Sequence, residues 1–271
     1  MTTAVITGST RGIGFGLAKE FLRRGHNVVI SGRRESACTA AAGELAAHAS
    51  AGARILAVAC DVSDYAQVQS LWDQAVAAFG RVDVWINNAG MANTRLPIGT
   101  LKTDEVNAVV RTNILGTMYG AKIALAGMRG QGAGAIYNFE GFGSNGQKSP
   151  GISLYGCTKF GITYFTKALI AETKGGPVRV GYLSPGIVMT DMILDDRDKM
   201  TPEAWNKVMR VYNILGDRVE TVTPWLVEQV LADTRHGSRI AWLTIPGAVR
   251  RFIKARLSPP GNRFPEYMAA G

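Results

Sequence analysis

Short runs of β-branched and apolar residues alternate with longer segments whose apolar positions recur at helical spacing, almost from end to end of the chain. Each short run predicts a strand, because strands of parallel sheets are buried on both faces and read as continuous apolar stretches. The segments between them are long enough for right-handed helical crossovers. The predicted strands cover residues 4–7, 28–31, 55–60, 82–87, 135–139, 178–183 and 240–244. This pattern predicts an α/β fold, a single-domain Rossmann-type doubly wound parallel sheet of about seven strands flanked by helices.

Three features divide the chain further. The first predicted helix carries Ile13, Leu17 and Phe21 on one face and ends at Gly25, a residue suited to the C′ position. Residues 37–53 are rich in alanine and fall where a crossover helix is due. Residues 190–223 lack strand character and predict a helical insertion over the carboxyl edge of the sheet, where ligands bind in such folds. We therefore expect a body of residues 1–245, with the insertion at about 190–223, and a tail of residues 246–271.

Composition excludes several classes of protein. The 271 residues are 46% hydrophobic and include three scattered cysteines, which fits neither a disordered chain nor a disulfide scaffold. The start of the chain lacks the basic and apolar regions of a secretion signal, and no apolar run reaches about 18 residues. We therefore expect a cytoplasmic protein. The three histidines form no HxxxH or HExxH pattern, so no metal site is predicted.

The net charge of +9 comes mostly from the tail. Residues 235–271 contain seven basic residues and one acid, and within residues 248–257 the apolar positions fall at helical spacing between cations: Val249, Phe252, Ile253 and Leu257. Two interpretations stay open: an interfacial helix making peripheral contact with a membrane, or an ordinary solvated helix packed on the body. Aromatic residues do not interleave with the basic ones, so nucleic acid is not an expected partner.

A glycine-rich turn joins the first predicted strand to the first predicted helix. Its GxxxGxG arrangement follows Thr7 and comprises Gly8, Ser9, Thr10, Arg11, Gly12, Ile13 and Gly14. Glycine permits a tight turn and close approach of the backbone to a pyrophosphate, and the helix N-terminus supplies N–H donors and positive potential. The turn therefore predicts a dinucleotide site.

The second predicted strand ends beside the position of the adenosine ribose, where an acid would favour NAD. This chain has Ser31, Gly32, Arg33 and Arg34 there instead. Gly32 leaves room, Arg33 can bind a phosphate through its guanidinium, and Arg11 can approach from the phosphate loop. The cofactor predicted is NADP(H). The alternative is a pair of solvated arginines at a strand end.

Further motifs occur in a characteristic order: Asp61-Val62, Asn87-Asn88-Ala89-Gly90, Asn113, Tyr155-x-x-x-Lys159 and Pro185-Gly186-x-x-x-Thr190. Together they resemble the short-chain dehydrogenase/reductase family over roughly residues 4–190. The resemblance implies that Asp61 and Val62 contact the adenine and that Asn88, Ala89 and Gly90 support the middle of the cofactor. It also implies that the segment from Pro185 to Thr190, with Gly186 and Val188, flanks the nicotinamide.

Tyr155 and Lys159 are four residues apart, so on a helix they share a face. A nearby ammonium favours the phenolate and is expected to lower the pKa of Tyr155, which makes the phenol a usable general acid. Tyr155 would then protonate a carbonyl oxygen as hydride arrives from NADPH. By resemblance, Lys159 holds the nicotinamide ribose and Asn113 anchors a water that relays protons to Lys159.

The family's serine after the fifth strand is missing from this chain. The position that it would occupy is Gly141 or Phe142, depending on the residue from which the count is made. Ser144 is the nearest hydroxyl and is the candidate replacement, although it also suits a turn in this glycine-rich loop. Glu140 would need a proton before it could donate a hydrogen bond.

This loop and two later runs together resemble the chlorophyll b reductase branch of the family. They comprise an acid-Gly-x-Gly-Ser run, a Tyr-Gly-x-Thr-Lys run and a later Trp-Leu-Thr-x-Pro run. The resemblance implies an NADPH-dependent carbonyl reductase acting on a hydrophobic substrate, with a formyl-tetrapyrrole as one candidate, and a homodimer or homotetramer. The rival hypothesis is a dinucleotide-binding sensor or scaffold that lost catalysis with its serine. Trp205 and Trp225, in and near the insertion, are candidates for lining an apolar cleft.

Overall fold

The computed structural model describes residues 1–197 and 200–267. Its strands are β1 Thr3–Ile6, β2 Asn27–Gly32, β3 Ile55–Ala59, β4 Val84–Asn87, β5 Gly134–Phe139, β6 Val178–Ser184, β7 Ile187–Met189, β8 Gly216–Arg218 and β9 Arg239–Ala241. Its helices are α1 Gly12–Arg23, α2 Glu35–Ala46, α3 Tyr65–Phe79, α4 Thr103–Val110, α5 Gly116–Gln131, α6 Ser153–Glu172, α7 Asp191–Arg197, α8 Pro202–Leu215, α9 Val219–Ala232 and α10 Ile245–Leu257. A π-helical turn, Arg111–Leu115, joins α4 to α5. None of the helices described is long and apolar enough to cross a membrane.

Seven strands form one parallel sheet in the order β3-β2-β1-β4-β5-β6-β9. The order reverses between β1 and β4, so the loops that leave these two strands part at the carboxyl edge and open a crevice between them. The doubly wound parallel fold predicted from the alternating pattern is confirmed. All seven predicted strands are present, with ends shifted by at most three residues.

The sheet has an apolar core on each face. Alternate residues of one strand point to opposite faces, so Ile6 packs with α1, α2 and α9 while its neighbour Val5 packs with α3, α5 and α6. The first helix ends as predicted, because Gly25 adopts a φ of 80° and donates its N–H to the carbonyl of Leu22. The crossover helix expected over residues 37–53 is α2, which begins two residues earlier and ends at Ala46.

The insertion is not wholly helical, which corrects the sequence expectation. Its residues 216–218 form β8, which pairs in parallel with β7 just after the sixth strand of the main sheet. A three-residue strand is too short to produce an alternating pattern, and its pairing with residues 187–189 depends on tertiary contact.

The tail packs against the insertion and forms a third apolar core with it. Phe264 is 1% exposed and packs with Trp205, Met209 and Met189. The expected boundary at 245/246 lies at the start of α10, and residues on both sides of it belong to one packed body. Trp205 and Trp225 are packing residues here: the Trp205 indole donates to the carbonyl of Tyr267, and Trp225 packs edge-on against Trp242.

Candidate active site

The phosphate loop lies between β1 and α1, and its glycines adopt conformations that other residues avoid. Gly8 has a φ of 63° and Gly12 a φ of 59°. A Cβ on Gly8 would lie 2.7 Å from the Cα of Ala89, and one on Gly14 would lie 2.5 Å from the Asn88 amide nitrogen. Among the described residues, no side chain caps the N-terminus of α1. The loop therefore presents a glycine cradle and uncapped helix N–H groups, which fits a pyrophosphate.

Thr7 and Asn88 join this loop to the loop after β4. The Asn88 amide nitrogen donates to the carbonyls of Thr7 and Gly8 at 2.8 and 3.0 Å, and the Thr7 hydroxyl accepts from the backbone N–H groups of Asn88 and Ala89. Ser9 is fully buried, donates to the carbonyl of Ile6 and accepts from the N–H of Ser31. Asn88 and Ser9 hold the shape of the cradle through their side chains; a contact of either with a cofactor stays a prediction.

The adenosine side of the predicted site lies at the ends of β2 and β3. Gly32 has no room for a side chain, since a Cβ there would lie 2.8 Å from the Thr10 methyl group. Arg33 and Arg34 follow it and are exposed to solvent. Arg11 instead forms an ion pair of 3.6 Å with Asp191, at the start of α7. This pair directs the Arg11 charge toward the insertion, which leaves Arg33 and Arg34 as the stronger candidates for a ribose phosphate.

Asp61 and Val62 follow β3 and are held in fixed positions. The Asp61 carboxylate accepts the N–H of Ser63 at 2.9 Å, and its own N–H donates to the Gln67 side chain. Val62 is buried, and a Cβ on Gly116 would lie 2.6 Å from its side chain. The structure thus orders both residues at the carboxyl edge, while their contact with an adenine stays a prediction.

The segment after β6 returns to the phosphate loop. Pro185 and Val188 are buried, and Gly186 has a φ of 74°; a Cβ on it would lie 2.7 Å from the Leu243 side chain. A Cβ on Gly12 would lie 3.6 Å from the Thr190 methyl group, so the two predicted cofactor segments converge. A pocket of about 230 Å³ beside them is lined by Gly12, Phe15, Met189, Thr190, Asp191, Arg218, Val219, Glu220 and Tyr267.

Tyr155 and Lys159 lie on the first turns of α6, one turn apart. The Lys159 ammonium is 5.7 Å from the centre of the Tyr155 ring and donates to the carbonyl of Phe139 at 3.2 Å. Burial lowers the pKa of Lys159 to about 8, against an opposing effect from Glu140. Burial, with a smaller electrostatic contribution from Tyr212, raises the pKa of Tyr155 to about 12. The sequence expectation of a lowered tyrosine pKa is therefore wrong for this structure, because desolvation of the phenolate is the dominant effect.

Asn113 lies in the π-helical turn and connects three parts of the site. Its side chain accepts the N–H of Met91 and donates to the Met91 carbonyl and to the hydroxyl of Thr158. A Cβ on Gly90 would lie 3.4 Å from the Asn113 amide oxygen and 3.8 Å from the Lys159 nitrogen. The structure thus brings Asn113, Gly90 and Lys159 together, and the water relay stays a prediction.

Asn93 also positions the start of α6, and sequence reasoning missed it. Its buried side chain accepts the backbone N–H of Tyr155 at 3.1 Å and donates to the carbonyl of Gly151. Asparagine is a preferred residue for satisfying free N–H groups at helix starts. Its position 62 residues before Tyr155 hides this role from a local motif search.

Ser144 fixes the loop before α6. Its hydroxyl accepts the N–H of Gly141 at 3.0 Å and donates to the backbone carbonyl of Lys159 at 3.4 Å. These bonds are those of a turn residue, and donation to a substrate would require breaking the second one. A catalytic role for Ser144 stays a prediction.

Glu140 is the ionic partner of Arg239. The carboxylate is 7% exposed and pairs with Arg239 of β9 at 2.8 Å. A carboxylate in such a pair accepts hydrogen bonds, so the conditional donor role considered for Glu140 is not supported. The pair joins the end of β5 to β9 and was not visible in the sequence, because its members lie 99 residues apart.

A glycine cradle on a doubly wound sheet, next to a Tyr-Lys pair on one helix, defines the class of nicotinamide dinucleotide-dependent oxidoreductases. The family model described as short chain dehydrogenase matches residues 2–211. The chain belongs to this family, as its motifs predict.

The chain is similar to two plant reductases. It is 34% identical to the chlorophyll(ide) b reductase NOL of Arabidopsis thaliana over 96% of this chain and 75% of that protein. It is 32% identical to the probable chlorophyll(ide) b reductase NYC1 of rice over 93% of this chain, which spans about half (51%) of the length of the rice protein. The predicted resemblance to the chlorophyll b reductase branch is confirmed. Both relatives are chloroplastic proteins, so a cytoplasmic location for this chain stays a prediction.

A solved structure shares the whole fold. The short-chain dehydrogenase/reductase of Mycobacterium marinum aligns with a TM-score of 0.78 and 25% identity, covering 89% of this chain and 93% of the other. The fold of this family binds a nicotinamide dinucleotide, and the residues of the cradle in this chain fit one.

Proposed function

We propose that the protein is an NADPH-dependent reductase of an aldehyde or ketone on a hydrophobic substrate. The observation that carries the proposal is the Tyr155–Lys159 pair on one face of α6, with the Lys159 ammonium 5.7 Å from the centre of the Tyr155 ring. A reductase needs a proton donor for the carbonyl oxygen, and the Tyr155 phenol is protonated at neutral pH; its raised pKa makes it a weaker acid than the sequence predicts.

Different residues of the chain would bind the cofactor and transfer the proton. Gly8, Gly12, Gly14 and the start of α1 would hold the pyrophosphate, and Thr190 would approach the nicotinamide. When bound, the cofactor supplies hydride to the carbonyl carbon of the substrate. Tyr155 gives its hydroxyl proton to the carbonyl oxygen, and the product is an alcohol. Lys159 and Asn113 would support the return of a proton to Tyr155.

The preference for NADPH rests on the end of β2. A side chain on Gly32 would collide with Thr10, so an acid that would bind the ribose hydroxyl of NADH does not fit there. Arg33 and Arg34 are exposed at the same place and supply positive charge for a phosphate.

Exposed apolar side chains on the loops at the carboxyl edge favour the binding of an apolar substrate. The loops that leave β4 and β5 expose Leu96, Ile98 and Phe142, which are 42%, 56% and 39% exposed. From the insertion, Tyr212 lies close enough to Tyr155 for the two phenols to interact electrostatically. Because the chain resembles chlorophyll(ide) b reductases, a formyl-bearing tetrapyrrole is the first substrate to test.

A homo-oligomer built on α6 is part of the proposal. On the helix that carries Tyr155, Phe160 and Tyr164 are 56% and 73% exposed and form a ready apolar face. Light scattering after size exclusion should give a dimer or tetramer, and Tyr164→Asp should reduce its mass. A monomeric wild-type protein would contradict this part of the proposal.

The decisive test is NADPH oxidation, with NADH in parallel, over aldehydes, ketones and a formyl-tetrapyrrole. Turnover should disappear in Tyr155→Phe and persist in the matched control Tyr164→Phe, which removes an exposed hydroxyl from the same helix. The missing family serine favours one alternative, a dinucleotide-binding sensor or scaffold. Tight NADPH binding without turnover on any substrate, unchanged in Tyr155→Phe and Lys159→Ala, would establish that alternative.

A further inference from the structure

Helix α10 presents its large apolar side chains to solvent. Five of them are exposed: Ile245 (76%), Val249 (52%), Phe252 (45%), Ile253 (58%) and Leu257 (84%). At about 100° per residue they span an arc of roughly 140° on one side of the helix. The partly buried residues Gly247, Ala248, Arg251 and Ala255 fall on the other side. A solvated helix packed on the body has the reverse arrangement, with large apolar residues inward.

Arg251 fixes this orientation. Its guanidinium donates to the Asp217 carboxylate at 2.7 Å and to the backbone carbonyl of Leu215 at 3.0 Å. Asp217 is 5% exposed and also accepts from the Trp242 indole and from Arg263. The body-facing side of α10 is therefore held by a buried polar network, and the outward direction of the apolar arc follows from it.

The charges of α10 indicate what covers the arc. Arg250 and Lys254 follow one edge of it and Arg256 lies within it, while α10 contains no acidic residue. A second copy docked on the arc through a two-fold axis would bring its own three cations to the same interface. The repulsion between the two sets of charges makes this arrangement unfavourable. An anionic lipid surface can bind both the apolar arc and the cations. The apolar side chains enter the boundary of the acyl chains, and the long basic side chains reach the headgroups.

We propose that α10 docks the protein in the interfacial plane of a membrane that contains anionic lipids. The 13-residue helix would lie along the surface, since it is too short to span the bilayer. Its anchor to Leu215 and Asp217 places the insertion next to the membrane. This inference stands on α10 alone and does not depend on the proposed reductase activity.

Sedimentation with vesicles tests the inference directly. The full chain should sediment with vesicles of equal parts phosphatidylcholine and phosphatidylglycerol, and much less with phosphatidylcholine alone. The variant Ile253→Asp/Leu257→Asp should lower binding at least tenfold, while Ile98→Asp, which changes an equally exposed isoleucine elsewhere, should not. The triple variant Arg250→Ala/Lys254→Ala/Arg256→Ala should lower binding by about fivefold per cation. Its matched control, Arg129→Ala/Lys148→Ala/Lys174→Ala, removes the same charge outside α10 and should bind nearly as wild type.

Two results would overturn the inference. One is wild-type protein that stays in the supernatant with anionic vesicles at low salt. The other is loss of an oligomer in Ile253→Asp/Leu257→Asp together with unchanged vesicle binding, which would assign the arc to a second copy of the chain. Circular dichroism of each variant shows whether the fold is retained.

Discussion

A Cβ atom on Gly141 would lie 2.5 Å from the hydroxyl oxygen of Tyr155. The same Cβ would lie 3.1 Å from the Lys159 side chain. Gly141 is one of the two positions at which the family's serine falls, so the Tyr155 hydroxyl occupies the space that a serine side chain would take there. The phenol can therefore pack closely against the Gly141 loop only because the position has no serine side chain.

Gly141→Ser should lower kcat at least tenfold instead of improving the enzyme. The new side chain displaces the Tyr155 hydroxyl, and small displacements of a catalytic group are costly. Steady-state kinetics with NADPH and the best aldehyde of the panel provide the measurement. Gly43→Ser, at an exposed glycine of α2 with open space around it, is the control and should keep wild-type kcat. A rise in kcat in Gly141→Ser would show that the loop adapts and that the site lacks a hydroxyl it can use.

Replacing Arg33 and Arg34 should affect the two cofactors differently. A charge-assisted bond to a phosphate contributes about 1.5–3 kcal/mol, so Arg33→Ser/Arg34→Ser should raise the KM for NADPH by roughly 10- to 100-fold. The KM for NADH should change little, because NADH carries no ribose phosphate. Arg129→Ser removes an exposed arginine from the end of α5 and serves as the control. Equal effects on both cofactors would assign these arginines to general electrostatic attraction instead of phosphate recognition.

Most of the fold could be predicted from local sequence patterns. The seven main strands, the glycine loop and the end of α1 were predictable because each depends on residues within a few positions of one another. The carboxyl ends of parallel strands meet at one edge, so the convergence of Gly12 with Thr190 followed from the fold class.

Long-range contacts and burial account for what the sequence did not show. β8 is three residues long and exists through its pairing with β7. Asn93 accepts a backbone N–H at the start of α6 from 62 residues away, and Glu140 meets Arg239 across 99 residues. The pKa of Tyr155 depends on how completely the fold removes water from the phenol, which residue spacing does not reveal.

Asp217 should control how firmly the tail is attached. Asp217→Asn removes the charge that binds Arg251 and Arg263, and we expect a loss of roughly 1–3 kcal/mol in the free energy of unfolding. Urea unfolding measures the loss, and limited trypsin digestion should cut the segment from 245 to 263 faster. The control Asp73→Asn changes an exposed carboxylate of α3. Unchanged stability and proteolysis would show that Phe264 and its apolar neighbours hold the tail without this network.

Lys159→Met should abolish turnover and stabilise the protein at neutral pH. The folded-state pKa of Lys159, about 8, lies below the ordinary value of 10.5, so the unfolded chain binds this proton more tightly between those two values. The penalty for burying the ammonium is present in full below pH 8, and the wild-type unfolding free energy rises with pH from about 8 to 10.5 as the penalty disappears. Lys159→Met should therefore gain roughly 1–3 kcal/mol at pH 7, and the gain should shrink toward pH 10.5. Urea unfolding at several pH values measures this, with Lys167→Met on the exposed side of α6 as the control. A variant that is less stable than wild type at pH 7 would mean that the bond from Lys159 to the Phe139 carbonyl outweighs the cost of its burial.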